Sequence, residues 1–233
     1  MADRDRATAD TVVAFDLYGT LIDPIGIAEE VDRTLPGGRG AELAALWRSK
    51  QLEYSFRLTV MHAYQDFRWV TDRALRFAAA STGIELSDEA ARHLIDHYDR
   101  LPAFPDALPA LAAVRADGHR PAVFSNGSPD MIERLLAHSG LGEHLETRIS
   151  VDEVREFKPA PATYQHAARS LGVPIEAVTL VSCNAFDVVG ANAAGMRTVW
   201  VNRTGATYDT IAEPPDATIT SLAELPGVLL TAP

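Results

Sequence analysis

The sequence predicts an α/β protein: a doubly wound parallel sheet with an all-helical domain inserted into it. Three observations carry that reading. Short, apolar, β-branched runs recur along the chain; helical patterns alternate with them; and one long stretch holds helices without a strand.

The first run, residues 11–17 (TVVAFDL), is apolar until an acid near its end, which marks a strand buried on both faces. The signature returns at 120–125 (RPAVFS), 177–182 (AVTLVS) and 197–202 (RTVWVN), and more weakly at 146–151 (ETRISV). Between the runs, a helix is predicted over 105–116, carrying Leu108, Leu111, Ala112 and Val114. The next opens at Ser128-Pro129, an N-cap followed by Pro at the first helical position, and stops at Gly140. A third spans 160–171 and stops at Gly172. This alternation specifies a Rossmann-like core with helices on both faces.

Residues 24–104 break the rhythm. A helix over 41–58 places Leu43, Leu46, Trp47, Tyr54 and Leu58 on one stripe, and another over 60–80 does the same with Tyr64, Phe67, Ala74 and Leu75. Ser87 caps a third helix, with Asp88 and Glu89 in its first turn. The core is therefore expected at 1–22 and 105–233, and a helical cap at 23–104. Pro-containing hinges fall at 22–25 and 102–106.

Composition narrows the function. The chain has 233 residues, 47% hydrophobic and 23% charged, which is ordinary for a globular protein. Its formal charge of −11 repels polyphosphate, so no nucleic-acid partner is expected. One cysteine, Cys183, excludes an internal disulfide framework and a Cys-based zinc cluster. No apolar run is long enough to span a bilayer, so no membrane partner is expected. The opening MADRDR has no apolar stretch of the signal-peptide kind, and a cytoplasmic location is the expectation. The seven histidines (62, 93, 97, 119, 138, 144, 166) form no HExxH pair and no Ser/His/Asp order. His93 and His97 read as surface residues.

In open α/β sheets, ligands bind beyond the carboxyl ends of the strands. Each strand end here is polar. Asp16 closes the first strand, in Asp16-Leu17-Tyr18-Gly19-Thr20. Gly19 permits a tight turn, and Thr20 with the loop amides can orient one carboxylate oxygen while the other stays free as a nucleophile. Lys158, in Phe157-Lys158-Pro159, precedes a helix and needs a compensating anion; beside Asp16 it would keep that acid ionised. Ser125 and Asn126 precede a helix N-terminus, a ready anion site. Ser182, Asn184 and Asp187 ring the next strand end.

In this order the four segments resemble the motifs of the haloacid dehalogenase superfamily, most closely its L-2-haloacid dehalogenases (type II). The likeness extends into the cap, where residues 46–54 (LWRSKQLEY) are similar to the segment carrying that family's halide-binding arginine, here Arg48. The resemblance implies a haloacid dehalogenase-type core, a homodimer, and a small anionic haloacid substrate. It implies that Asp16 displaces the halide and that water then cleaves the resulting ester. Ser125 and the amides of Leu17, Tyr18 and Asn126 would hold the substrate carboxylate, while Arg48, Asn126 and Phe186 cradle the halide. Lys158 would steady Asp16, Tyr164 would orient Lys158, Thr20 would brace the nucleophile, and Ser182, Asn184 and Asp187 would hold or activate the water.

The sequence departs from the superfamily's phosphatases. Their general acid, two residues after the nucleophile, is replaced by Tyr18, and Ser182 and Asn184 stand in the region of their metal-holding acids. One nucleophilic carboxylate and one distant acid make a poor octahedral cage, so no Mg²⁺ or other cofactor is expected. Chloride leaves as a stable anion without protonation, whereas a phosphoryl group would lose its main charge stabilisation. Phe186 and Ser49 stand where relatives carry Trp and Gln, which points to altered halide or chain-length preference. A phosphatase of the same fold is the alternative enzyme, and a non-catalytic small-acid binder the alternative class. Cys183 reads as a small buried side chain.

Overall fold

The computed structural model describes residues 12–231; the MADRDR opening and Thr11 lie outside them. Among the described residues six strands form one sheet: β1 (Val12–Phe15), β2 (Arg120–Ser125), β3 (Thr147–Ser150), β4 (Val178–Ser182), β5 (Arg197–Val201) and β6 (Ala217–Ile219). Every pairing is parallel, in the order β3-β2-β1-β4-β5-β6. All four β1 residues are buried, as an uninterrupted apolar run requires. The chain winds from β1 toward β2 and β3, then returns to β4 on the other side. That reversal puts the topological switch at the end of β1, where Asp16 sits. β6 has three residues, too few for periodicity to reveal.

Four helices fill the insertion: α1 (Ala28–Thr34), α2 (Gly40–Val60), α3 (Phe67–Thr82) and α4 (Asp88–Tyr98). The helix expected over 60–80 starts late. α2 runs on to Val60, His62 then takes a positive φ of 52°, and Asp66 opens α3 by accepting from the Trp69 amide at 2.8 Å. Tyr64 therefore lies in the connection, where its hydroxyl donates to Asp152 Oδ1 of the core at 2.6 Å. Leu43, Trp47 and Leu58 are buried, while Leu46 and Tyr54 are only partly so. Ser87 caps α4 as expected, accepting from Ala90 N at 3.1 Å.

Helices α5 (Ala107–Ala116), α6 (Pro129–Ser139), α7 (Pro161–Leu171), α8 (Ala185–Ala194) and α9 (Leu225–Thr231) complete the core. Two details correct the sequence reading. The buried stripe of α5 is Ala107, Ala110, Leu111 and Val114, at helical spacing, so Leu108 and Ala112 face outward. Ser128 stands at the N-cap of α6 without a side-chain capping bond. His93 and His97 are not idle on the surface: half-exposed on α4, both approach Glu30 of α1, His93 Nε2 at 2.5 Å and His97 Nδ1 at 3.9 Å. No helix among the described residues is long and apolar enough to cross a membrane.

The two chain passages between insertion and core pair with each other. Asp23 N donates to Pro102 O at 3.0 Å and Phe104 N to Leu21 O at 2.9 Å, a short antiparallel ribbon centred on Ile22 and Ala103. The insertion is held rigid inside by a buried polar chain. Tyr98 Oη donates to Gln51 Oε1 at 3.0 Å, Gln51 Nε2 to Thr71 Oγ1 at 2.9 Å, and Thr71 Oγ1 to Phe67 O at 2.7 Å. Trp47 Nε1 adds a bond to Thr71 O at 2.8 Å. Gln51 and Thr71 are wholly buried, so losing one link leaves a polar atom without water. Gln51→Leu is expected to cost about 2 kcal/mol by urea denaturation, and adding Tyr98→Phe to recover about half, because the orphaned hydroxyl is removed. An unchanged midpoint for Gln51→Leu would contradict the assignment.

Candidate active site

Asp16 follows β1 directly, and its carboxylate is buried among donors. Lys158 Nζ reaches Oδ1 at 3.3 Å. Oδ2 receives three neutral donors: Asn184 Nδ2 at 2.7 Å, Thr20 Oγ1 at 3.3 Å and Ser182 Oγ at 3.4 Å. The two oxygens are thus unequal, one crowded and one facing a single cation. Gly19 makes the turn possible, since it has φ of 92° and a Cβ there would lie 2.7 Å from Cys183 Sγ.

Lys158 is 1% exposed, and all three of its protons have acceptors. Besides Asp16, Nζ donates to Phe124 O at 2.7 Å and to Asp187 Oδ2 at 2.9 Å, and it lies 3.9 Å from the centre of the Phe124 ring. The expected distant acid is therefore near: Asp16 and Asp187 share one ammonium. Tyr164 is placed differently from its expected role. Its hydroxyl donates to Asp187 Oδ1 at 2.9 Å and to the Asp187 carbonyl at 3.1 Å, so it fixes Lys158 only through that acid. Gly190 allows this, because any Cβ on it would collide with the Tyr164 hydroxyl and Pro159. Burial raises the Asp187 pKa, with Asp16 adding to the rise and Lys158 opposing it. Burial also carries the Tyr164 phenol well above its ordinary value.

Beside Asp16 lies a set of unused donors. The amides of Leu17, Tyr18 and Asn126 make no hydrogen bond among the described residues. Ser125 Oγ accepts from Gly127 N at 3.0 Å, leaving its own proton to donate. Asn126 gives its Oδ1 to the Lys158 amide at 3.0 Å, which turns its Nδ2 outward from that bond.

The insertion closes the site. Arg48 of α2 points its Nη2 at Tyr18 O, 3.3 Å away, and Asn184 Oδ1, 3.5 Å away. Both acceptors are neutral, and no carboxylate pairs with Arg48 among the described residues. A half-buried cation without a counter-ion, next to the nucleophile, is built to meet an anion. Tyr18 is buried between Phe67 and Tyr98, with ring centres 5.4 and 5.6 Å away. Phe186, half-buried at the start of α8, meets Phe56 of α2 edge-on at 5.1 Å and 73°. Phe56 escaped the sequence reading, although it lies eight residues after Arg48 and hence on the same helical face. Ser49 is exposed, so it lines nothing buried.

A magnesium ion does not fit this donor set. Asp16 Oδ2 is surrounded by hydrogen-bond donors, both oxygens of Asp187 are engaged, and an ammonium stands between the two acids. A divalent cation needs several free oxygen ligands, and an ammonium shared by the two acids competes for the same oxygens.

A buried carboxylate at the switch point, a buried lysine and a helical insertion over the site define the class. The chain belongs to the haloacid dehalogenase-like hydrolases, whose family model matches residues 11–195. Within that class it groups with the 2-haloacid dehalogenases. It is 38% identical over 220 residues, 94% of either chain, to the (S)-2-haloacid dehalogenase of Pseudomonas sp. (strain YL). It is 41% identical over 216 residues to (S)-2-haloacid dehalogenase 1 of Pseudomonas sp. (strain CBS-3), covering 93% of this chain and 95% of the relative. Among solved structures, the L-2-haloacid dehalogenase from Xanthobacter autotrophicus with chloropropionic acid covalently bound superimposes with a TM-score of 0.90 at 34% identity, covering 96% of this chain and 99% of that one.

Asp187→Asn removes the charge that keeps Lys158 neutralised. Turnover is expected to fall about 100-fold with the fold intact by circular dichroism. In the native protein the acid limb of kcat should lie above the ordinary Asp value of about 3.9, because burial raises Asp187 and activity needs its ionised form. Turnover is thus full above that raised value and lost as pH falls through it. A limb at or below the ordinary value would contradict this.

Proposed function

We propose that the protein hydrolyses short-chain (S)-2-haloacids to (R)-2-hydroxyacids, with inversion, through an ester on Asp16 and without a metal. The observation that carries this is the unpaired Arg48 beside a nucleophile whose own lysine is already balanced by Asp187. The reaction moves one negative charge from Asp16 to the departing halide, and Arg48 is the cation waiting there. The relatives named (S)-2-haloacid dehalogenase and the structure bearing covalent chloropropionic acid support the same chemistry.

In the first step Asp16 Oδ1 attacks the carbon bearing the halogen from the side opposite the halide, and the C–X bond breaks as the C–O bond forms. Ser125 and the amides of Leu17, Tyr18 and Asn126 hold the substrate carboxylate, which fixes the line of attack. Arg48 and the side-chain Nδ2 of Asn126 donate to the halide, and the Phe186 ring turns its positive edge toward it. In the second step water adds to the Asp16 carboxyl carbon. Negative charge then develops on Oδ2, where Asn184, Thr20 and Ser182 already converge as donors. Collapse of that species breaks the ester C–O bond, and the proton shed by the attacking water passes to the departing oxygen. The hydroxyacid leaves, and the second proton goes to solvent as Asp16 returns to the carboxylate. With Asp16 esterified, Lys158 keeps Asp187 as its partner and remains buried as a neutral pair. The family pattern further supports a cytoplasmic homodimer.

Purified protein should release chloride from (S)-2-chloropropionate and yield (R)-lactate at the same rate with or without EDTA. The (R)-enantiomer should remain unreacted. Loss of activity with chelator, or Mg²⁺-dependent hydrolysis of a phosphate monoester with no halide release, would reverse the proposal in favour of a phosphatase.

A further inference from the structure

Arg203, two residues beyond β5, joins three segments that are far apart in the chain. Its Nη1 and Nη2 grip both oxygens of Asp106 at 2.8 and 3.0 Å, and Nη2 also donates to Thr20 O at 3.1 Å. The guanidinium lies 4.2 Å from the centre of the Phe104 ring. Asp106 in turn accepts from Ser221 Oγ at 2.8 Å and Leu222 N at 2.9 Å. Phe104 and Asp106 belong to the passage from insertion to core, and Phe104 N is bonded to Leu21, the neighbour of Thr20.

Thr20 is consequently held at both ends. Arg203 takes its carbonyl, while its hydroxyl donates to Asp16 Oδ2 at 3.3 Å and accepts from Cys183 N at 2.9 Å. A clasp serving only the fold would need Asp106, which Ser221 and Leu222 already satisfy in part. The bond to Thr20 is the one that reaches the nucleophile. We propose that Arg203 is a positioning residue for the reaction: through Thr20 it sets the donors around Asp16 Oδ2, and through Asp106 it ties them to the hinge. The proposal rests on the reading of Asp16 as nucleophile. Arginine is required because one planar fork makes the bidentate pair and the third bond together, which a lysine ammonium cannot.

Cys183 supplies a readout independent of turnover. It is the sole cysteine, its Sγ packs against Gly19, and burial pushes its thiol up to about 11, so native modification should be slow. The test measures kcat, KM and the rate of Cys183 labelling by a disulfide reagent in Arg203→Met and Arg203→Lys. Arg203→Met is expected to lower kcat on (S)-2-chloropropionate about tenfold, with KM within about twofold of native, since the substrate-holding donors are untouched. Labelling of Cys183 should accelerate about fivefold or more as the loop loosens. Arg203→Lys should fall between the two in both measures, and it carries the test alone should Arg203→Met not fold. Native kcat with native labelling, a change in KM alone, or a loss of kcat without faster labelling would each overturn the proposal. Absence of halide release by the native protein would instead count against the dehalogenase reading, and labelling would still decide whether Arg203 holds the loop.

Discussion

The ammonium of Lys158 has been taken out of water, so its charge and all three of its protons must be matched within the protein. The match comes from Asp16, Asp187 and Phe124 O, drawn from the ends of β1 and β2 and the first turn of α8. Those elements can meet only if the sheet is parallel and ordered as it is, with β1 between β2 and β4. Tyr164 then locks Asp187 from α7, and the bare face at Gly190 lets α7 and α8 approach closely enough for it. The fold, in effect, is what keeps one buried cation in balance.

That balance explains why two acids sit on one base. With a single carboxylate partner, esterification of Asp16 would strand Lys158 as an uncompensated buried charge. Asp187 prevents this, and the cation stays paired throughout the cycle. The cap contributes the opposite arrangement. Among the described residues Arg48 has no acid of its own, so the positive potential of the site concentrates where an anion has to be received. A formal net charge of −11 is compatible with this, because a local pocket of fixed donors acts at distances of a few ångströms.

Most of the core was legible in the sequence because buried parallel strands and capped helices leave local signals. Asp16 stood out as a charge closing an apolar run, and Lys158 and Asp187 as charges at helix starts. The relations between them were not legible. That Tyr164 binds Asp187 rather than Lys158 depends on how closely α7 and α8 pack, and this is a tertiary distance. The break between α2 and α3 was read too early because the apolar period runs on past Val60, while the positive φ of His62 leaves no pattern. Phe56 could have been found by extending the face of Arg48 along α2. Arg203 and Asp106 had no local signature, since their partners lie about a hundred residues or more apart in some cases and meet only in the folded chain.

In the proposed reaction Asp16 carries the substrate as an ester that water opens at the carboxyl carbon. Single turnover of excess protein with (S)-2-chloropropionate in H₂¹⁸O, followed by mass spectrometry of the peptide containing Asp16, tests it directly. ¹⁸O is expected in the Asp16 side chain, with unlabelled hydroxyl oxygen in the lactate. Label in the lactate, with none in Asp16, would mean that water attacks the substrate itself and that no Asp16 ester forms.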